Sequence, residues 1–161
     1  MDEPQFLSLI QTYQPMLHKI CRVYRQLKHE QEDLFQEIVY QLWKSHQSYK
    51  GTAQLTTWIY KVALNTALTD IRKKKPDIRY ANEIQDIRSE LPDNPQREQE
   101  ELLTWALQQL TDGEKTIITL YLESLSYKEI SNITGISESN VGVKLNRIKI
   151  KLQKLLNNGT K

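Results

Sequence analysis

His18 and Cys21 stand three positions apart, a spacing that brings two metal-ligating side chains onto one turn of a helix. Zinc needs a second such pair, and His29 and His46 are scattered, so no metal site is expected. No glycine-rich phosphate loop or nucleophile motif occurs, so no catalytic residue and no cofactor is assigned. The side-chain groups that remain suit binding. Asp33, Gln36, Glu37 and Tyr40 recur at three- and four-residue spacing, which gathers them on one helix face. Like charges four apart cost an isolated helix roughly a few tenths of a kcal/mol. An acidic-polar stripe beside an apolar one therefore suits a partner surface, with a solvated face as the alternative. Two basic groups complement it. Arg72, Lys73, Lys74 and Lys75 form a continuous run, and Lys144 to Lys154 holds five bases and no acid. Both suit phosphate contacts.

These groups need helices to position them. Phe6, Ile10, Tyr13, Leu17, Ile20, Cys21, Tyr24 and Leu27 carry a helical period, which Pro15 is expected to split into two segments. Leu34, Phe35, Ile38, Val39, Leu42 and Trp43 mark a second helix. Leu55, Trp58, Ile59, Val62, Ala63, Leu68 and Ile71 mark a third, running into the basic run and Pro76. Asn65 is expected to interrupt this pattern. From Pro76 to Gln96 the periodicity fails; Pro76, Pro92 and Pro95 punctuate a polar stretch, with room for a short helix near Ile84 and Ile87. Acids outnumber bases from Asn82 to Glu101, which makes this an acidic linker. Leu102, Leu103, Ala106, Leu107 and Leu110 begin a second helical group. Thr111–Glu114 and Ser126–Glu129 then read as capping boxes. No stretch alternates as a strand of useful length.

The sharpest local motif runs from Ser126 to Leu152. Ile130 and Ile133 form an inner face, Ser131 is small enough for a close helix crossing, and Gly135 suits a sharp turn. Ser137 caps the next helix, whose buried stripe is Val141, Leu145, Ile148 and Leu152. Its other face carries Asn140, Val143, Lys144, Asn146, Arg147, Lys149 and Lys151. This is a helix-turn-helix whose second helix suits a major groove. An ordinary amphipathic C-terminal helix is the bland alternative.

Asp33–Trp43 resembles the region 2 signature helix of the extracytoplasmic-function (ECF) sigma factors of bacterial RNA polymerase. Thr57–Ala67, followed by Asp70 and the basic run, resembles their −10-reading segment. Leu110–Lys115 and Leu125–Ile130 resemble the region 4 pattern that leads into the helix-turn-helix. The resemblance implies an all-α fold: a region 2 helical bundle over residues 1–75, an acidic, flexible linker over 76–96, and a region 4 helix-turn-helix over 97–157. It implies a transcription-initiation factor with no enzymatic activity of its own. Its partners would be core RNA polymerase, through the β′ clamp helices and the β flap, promoter DNA, and an anti-sigma factor. The implied polymerase-binding residues are Asp33, Leu34, Gln36, Glu37 and Tyr40.

For the −10 element the resemblance implies Trp58, Tyr60, Lys61, Asn65, Thr66, Arg72 and Lys73. Aromatics can stack on unpaired bases for roughly 1–3 kcal/mol each, although Trp58 shares helical spacing with Val62 and suits a core equally. Asn65 would begin a loop that captures an extruded base, its amide both donating and accepting; a helix cap is the alternative. The −35 residues would be Asn140, Val143, Lys144, Asn146 and Arg147. Gly142 and Val143 depart from the family, where a basic or hydroxyl residue is common. Gly142 is expected to let the backbone approach DNA closely.

Bulk properties agree. A 39% hydrophobic content among 161 residues suffices for a core, and the single cysteine excludes an intrachain disulfide, as suits a reducing compartment. The first residues lack the pattern of a signal peptide, and no apolar run reaches a membrane span. A cytoplasmic bacterial location is expected, free or held at the inner membrane by an anti-sigma factor. Two rival readings are a stand-alone helix-turn-helix regulator and an adaptor that binds only protein. The acidic stripe at Asp33–Glu37 disfavours both.

Overall fold

The computed structural model describes residues 2–49, 51, 54–73 and 95–159, without the side chains of residues 70–73. Every regular element among these residues is helical. Three helices form an N-terminal group: α1 (Glu3–Tyr24), α2 (Lys28–Ser45) and α3 (Leu55–Lys73), with a 3₁₀ turn at His46–Ser48 after α2. Four form a C-terminal group: α4 (Pro95–Gln108), α5 (Asp112–Leu122), α6 (Tyr127–Thr134) and α7 (Glu138–Gly159). The all-α expectation holds. The second group begins at Pro95, two residues earlier than the sequence suggested. The stretch containing Ile84 and Ile87, and the basic residues Lys74 and Lys75, lie outside the described residues.

The Asp2 carboxylate opens α1 by accepting from the Gln5 backbone N–H at 2.9 Å, and the Gln5 side chain accepts from the Asp2 N–H at 3.0 Å. α1 then runs unbroken through Pro15, so the expected split does not occur. Proline removes one donor and crowds the preceding turn. Here the apolar period continues on both sides of it: Phe6 before, and Met16, Leu17 and Ile20 after, are all buried. Packing of that stripe outweighs the local penalty.

α2 lies against α1 and α3. Leu34, Ile38 and Leu42 of α2 are fully buried, as are Leu17, Ile20 and Cys21 of α1 and Ala63 and Ala67 of α3. The guanidinium of Arg25 donates to the Tyr24 carbonyl at 2.9 Å and the Ala67 carbonyl at 3.3 Å, tying the end of α1 to α3.

In the second group both capping boxes form. Thr111 and Glu114 exchange side-chain-to-backbone bonds at the start of α5, and Ser126 and Glu129 do so at α6. α6 ends on Gly135 at φ 79°, in the left-handed region that glycine adopts cheaply. Ser137 then accepts from the Asn140 N–H at 3.3 Å at the start of α7. Val141, Leu145, Ile148 and Leu152 are buried as their spacing predicts.

The two groups are packed together. Buried residues of both belong to one continuous apolar cluster, with α4 and α5 against α1 and α6 against α3.

Candidate functional site

α2 divides its residues between two duties. Its four-residue steps Leu34, Ile38 and Leu42 face the core, leaving Asp33, Gln36, Glu37 and Tyr40 exposed on the other side. The Glu37 carboxylate accepts from the Gln41 side chain at 2.9 Å. The acidic-polar stripe is therefore a real surface, and Tyr40 adds an apolar ring that is 56% exposed. Leu34 is the exception among the residues expected to bind a partner. It is fully buried, so it holds the helix in place and presents nothing to a partner.

α3 corrects the reading of Asn65. The helix is continuous from Leu55 to Lys73, and Asn65 lies exposed in its interior. It begins no loop and caps no end. Exposed Lys61 lies one turn before it, and Thr66 turns its hydroxyl back to the Val62 carbonyl at 2.7 Å. Trp58 is half-buried, its ring 5.1 Å from that of Tyr49. Tyr60 is buried and lies near the Glu123 carboxylate. Burial, reinforced by that carboxylate, pushes the Tyr60 phenol well above its usual range. In this arrangement Tyr60 offers no face to a base. The side chains of Arg72 and Lys73 lie outside the described residues.

α7 presents Asn140, Val143, Lys144, Asn146 and Arg147 to solvent, all five of the residues expected to read DNA there. Two further bases are turned away from that task. Lys149 donates to the Tyr121 hydroxyl at 3.1 Å with its ammonium 4.4 Å from that ring, and Lys151 donates to Glu114 at 2.9 Å. Both tie α7 to α5. Gly142 has a neighbour within the chain. A Cβ placed there would lie 3.3 Å from Cε2 of Tyr127, so the missing side chain makes room for a tyrosine of α6.

Three exposed surfaces thus lie on helices in fixed order: an acidic stripe on α2, a polar strip on α3, and a polar-basic face on the second helix of a helix-turn-helix. The sigma-70 region 2 family model matches residues 9–76, and the sigma-70 region 4 model matches residues 100–152. The ECF RNA polymerase sigma factor SigM of Bacillus subtilis (strain 168) is 30% identical over 160 residues, covering 95% of this chain and 98% of that protein. The chain belongs to the ECF sigma factors. SigW of the same organism is 28% identical over 171 residues, covering 96% and 90%.

Two solved structures share the fold of this ECF sigma factor. CnrH in complex with the cytosolic domain of CnrY matches with a TM-score of 0.72 at 16% identity, over 98% of this chain and 90% of that one. The sigma factor RpoE in complex with the anti-sigma factor NepR from Bartonella quintana matches at 0.71 and 20% identity, over 95% and 97%. As a sigma factor the chain directs transcription initiation at promoters, and the stand-alone regulator reading is not favoured. No helix among the described residues is long and apolar enough to cross a membrane.

Proposed function

We propose that this sigma factor docks on core RNA polymerase through the α2 stripe Asp33, Gln36, Glu37 and Tyr40, with the β′ clamp helices as the complementary basic surface and the β flap meeting the C-terminal group. Lys61, Asn65 and Thr66 of α3, with Trp58, Arg72 and Lys73, serve the −10 element. Asn140, Val143, Lys144, Asn146 and Arg147 of α7 serve the −35 element in the major groove. The chain makes and breaks no bonds; it contributes binding and strand separation, and the polymerase supplies catalysis. Capture of extruded bases would offset a few kcal/mol, roughly, of lost stacking and pairing. An anti-sigma factor is the expected regulator, and a cytoplasmic place, free or tethered through that regulator, follows from it.

The observation that carries this reading is the separation of charge on one chain. Acidic residues are exposed on α2 and basic residues on α7, each on a helix whose opposite side is core. A protein surface fits the first and phosphate the second. Run-off transcription with purified core polymerase tests it. Addition of the chain should yield promoter-specific transcripts that core polymerase alone does not make. Tight duplex binding without polymerase, and no transcript with it, would return the reading to a stand-alone regulator.

A further inference from the structure

Two large apolar side chains of α7 are exposed, Val143 and Ile150. Of these, Val143 falls within the first two turns of the helix, the part of a recognition helix that meets base edges. Its side chain is 48% exposed, while Val141, Leu145, Ile148 and Leu152 meet the core on the other side. Asn140 three positions before it, Asn146 three after and Arg147 four after share its face, and all three are exposed. A lone exposed apolar residue is ordinary on a protein surface. One set in the middle of the face assigned to the −35 element has a specific counterpart in the groove. Valine is also a weak helix former, and at this position the core gives it no burial in return.

A valine side chain neither donates nor accepts a hydrogen bond, so it distinguishes bases by apolar contact alone. In the major groove thymine is the one base that presents a methyl group, at C5. Cytosine carries only hydrogen at that place. Branching at Cβ holds a helical valine in one preferred χ1 rotamer, so both Val143 methyls are fixed in direction and lose little freedom on contact. The flanking amides agree with this preference. Asparagine matches the N6 and N7 edge of adenine, which is the partner of thymine. We propose that Val143 packs on the C5 methyl of a thymine in the −35 element and sets a requirement for an A·T pair there, with Asn140 or Asn146 on the adenine of that pair or of its neighbour. The inference deepens, and rests on, the role of α7 at the −35 element proposed above.

Base analogues test the contact without altering the protein. Duplexes randomised across both promoter elements, transcribed by core polymerase with the full chain and then sequenced, define the preferred −35 element. Thymine should be selected at one position in it. Replacing that thymine by deoxyuridine removes the methyl and nothing else. Transcription should then fall roughly three- to fivefold, the worth of one buried methyl group. At the same position 5-methylcytosine should outperform cytosine by a similar factor. Val143→Ser changes an exposed side chain outside the buried stripe. With it, thymine and deoxyuridine should be used equally, and the selected preference at that position should broaden. A deoxyuridine effect that persists in Val143→Ser would overturn the assignment, as would the absence of any such effect at every −35 thymine with the wild-type chain. Transcripts selected with no −35 preference at all would instead remove the role of α7 at that element, and the methyl contact with it.

Discussion

Gly142 of α7 lies beneath the ring of Tyr127, so close that an added Cβ would stand 3.3 Å from Tyr127 Cε2. Tyr127 is 40% exposed and has room to yield by a few tenths of an ångström. Alanine is favoured over glycine in a helix interior by up to ~1 kcal/mol. Gly142→Ala should therefore raise the melting temperature, by about 2–4 °C at most. The added methyl would face Tyr127, so promoter activity should stay within about twofold. A thermal melt and a run-off assay check both. Loss of promoter activity with raised stability would mean that DNA, too, approaches that backbone.

The acidic stripe gives a sharper test. Asp33 and Glu37 are exposed and their helix is held by Leu34, Ile38 and Leu42 on the far side. Asp33→Arg with Glu37→Arg should abolish association with core polymerase and leave the helical circular dichroism unchanged. Continued co-purification with the β′ subunit would place docking elsewhere.

Lysines and arginine of α7 should separate into two classes. Lys144→Ala and Arg147→Ala alter exposed side chains and should weaken promoter binding, by roughly 1–3 kcal/mol where a base is read. Where only a phosphate is touched the loss should be uniform across −35 variants. Lys149→Met breaks the bond to Tyr121 and should lower thermal stability with little change in promoter preference. Equal promoter effects for all three would show that the Tyr121 contact gives way on DNA.

Glu114 supplies a pH dependence. Burial alone would raise its carboxyl, but bonds from Thr111 and Lys151 outweigh that and hold it below its ordinary 4.5. A carboxyl depressed in the folded chain stabilises fully above its unfolded value and loses that contribution as pH falls through the folded one. Lys151→Met should therefore cost stability at neutral pH, and its difference from wild type should shrink as pH drops below about 4.5. Urea melts at pH 7 and pH 3 measure the difference; an equal gap at both would assign the loss to packing of the lysine stem.

The features legible in the sequence were those carried by local period. The buried stripe of α7, the two capping boxes and the turn at Gly135 each depend on residues within a few positions of one another. Pro15 and Asn65 were misleading because local preference argued for a break where the apolar stripe continued on both sides, and the packed stripe prevailed. The destinations of Lys149 and Lys151 were hidden for another reason. Their partners, Tyr121 and Glu114, lie 28 and 37 positions away, and helical spacing carries no signal at that range. The same holds for Tyr24 and Thr116, 92 positions apart.

Asn65 now permits a cleaner test than its sequence suggested. As a helix cap it would have coupled stability and function, since losing a cap costs roughly 1 kcal/mol. Exposed in the interior of α3, it supports no helix end. Alanine has the higher helix propensity, by about 0.5 kcal/mol, so Asn65→Ala should melt no lower than wild type. Any defect then belongs to recognition. If the amide reads one extruded base, open-complex formation should fall on the preferred promoter, and the preference at that single position should flatten. A pre-melted template should recover part of the activity, because capture no longer has to drive opening. Permanganate footprinting with each of the four bases at that position reads the profile directly. An unchanged profile in a stable mutant would leave Asn65 as a solvated helix residue and shift −10 reading to Lys61 and Trp58.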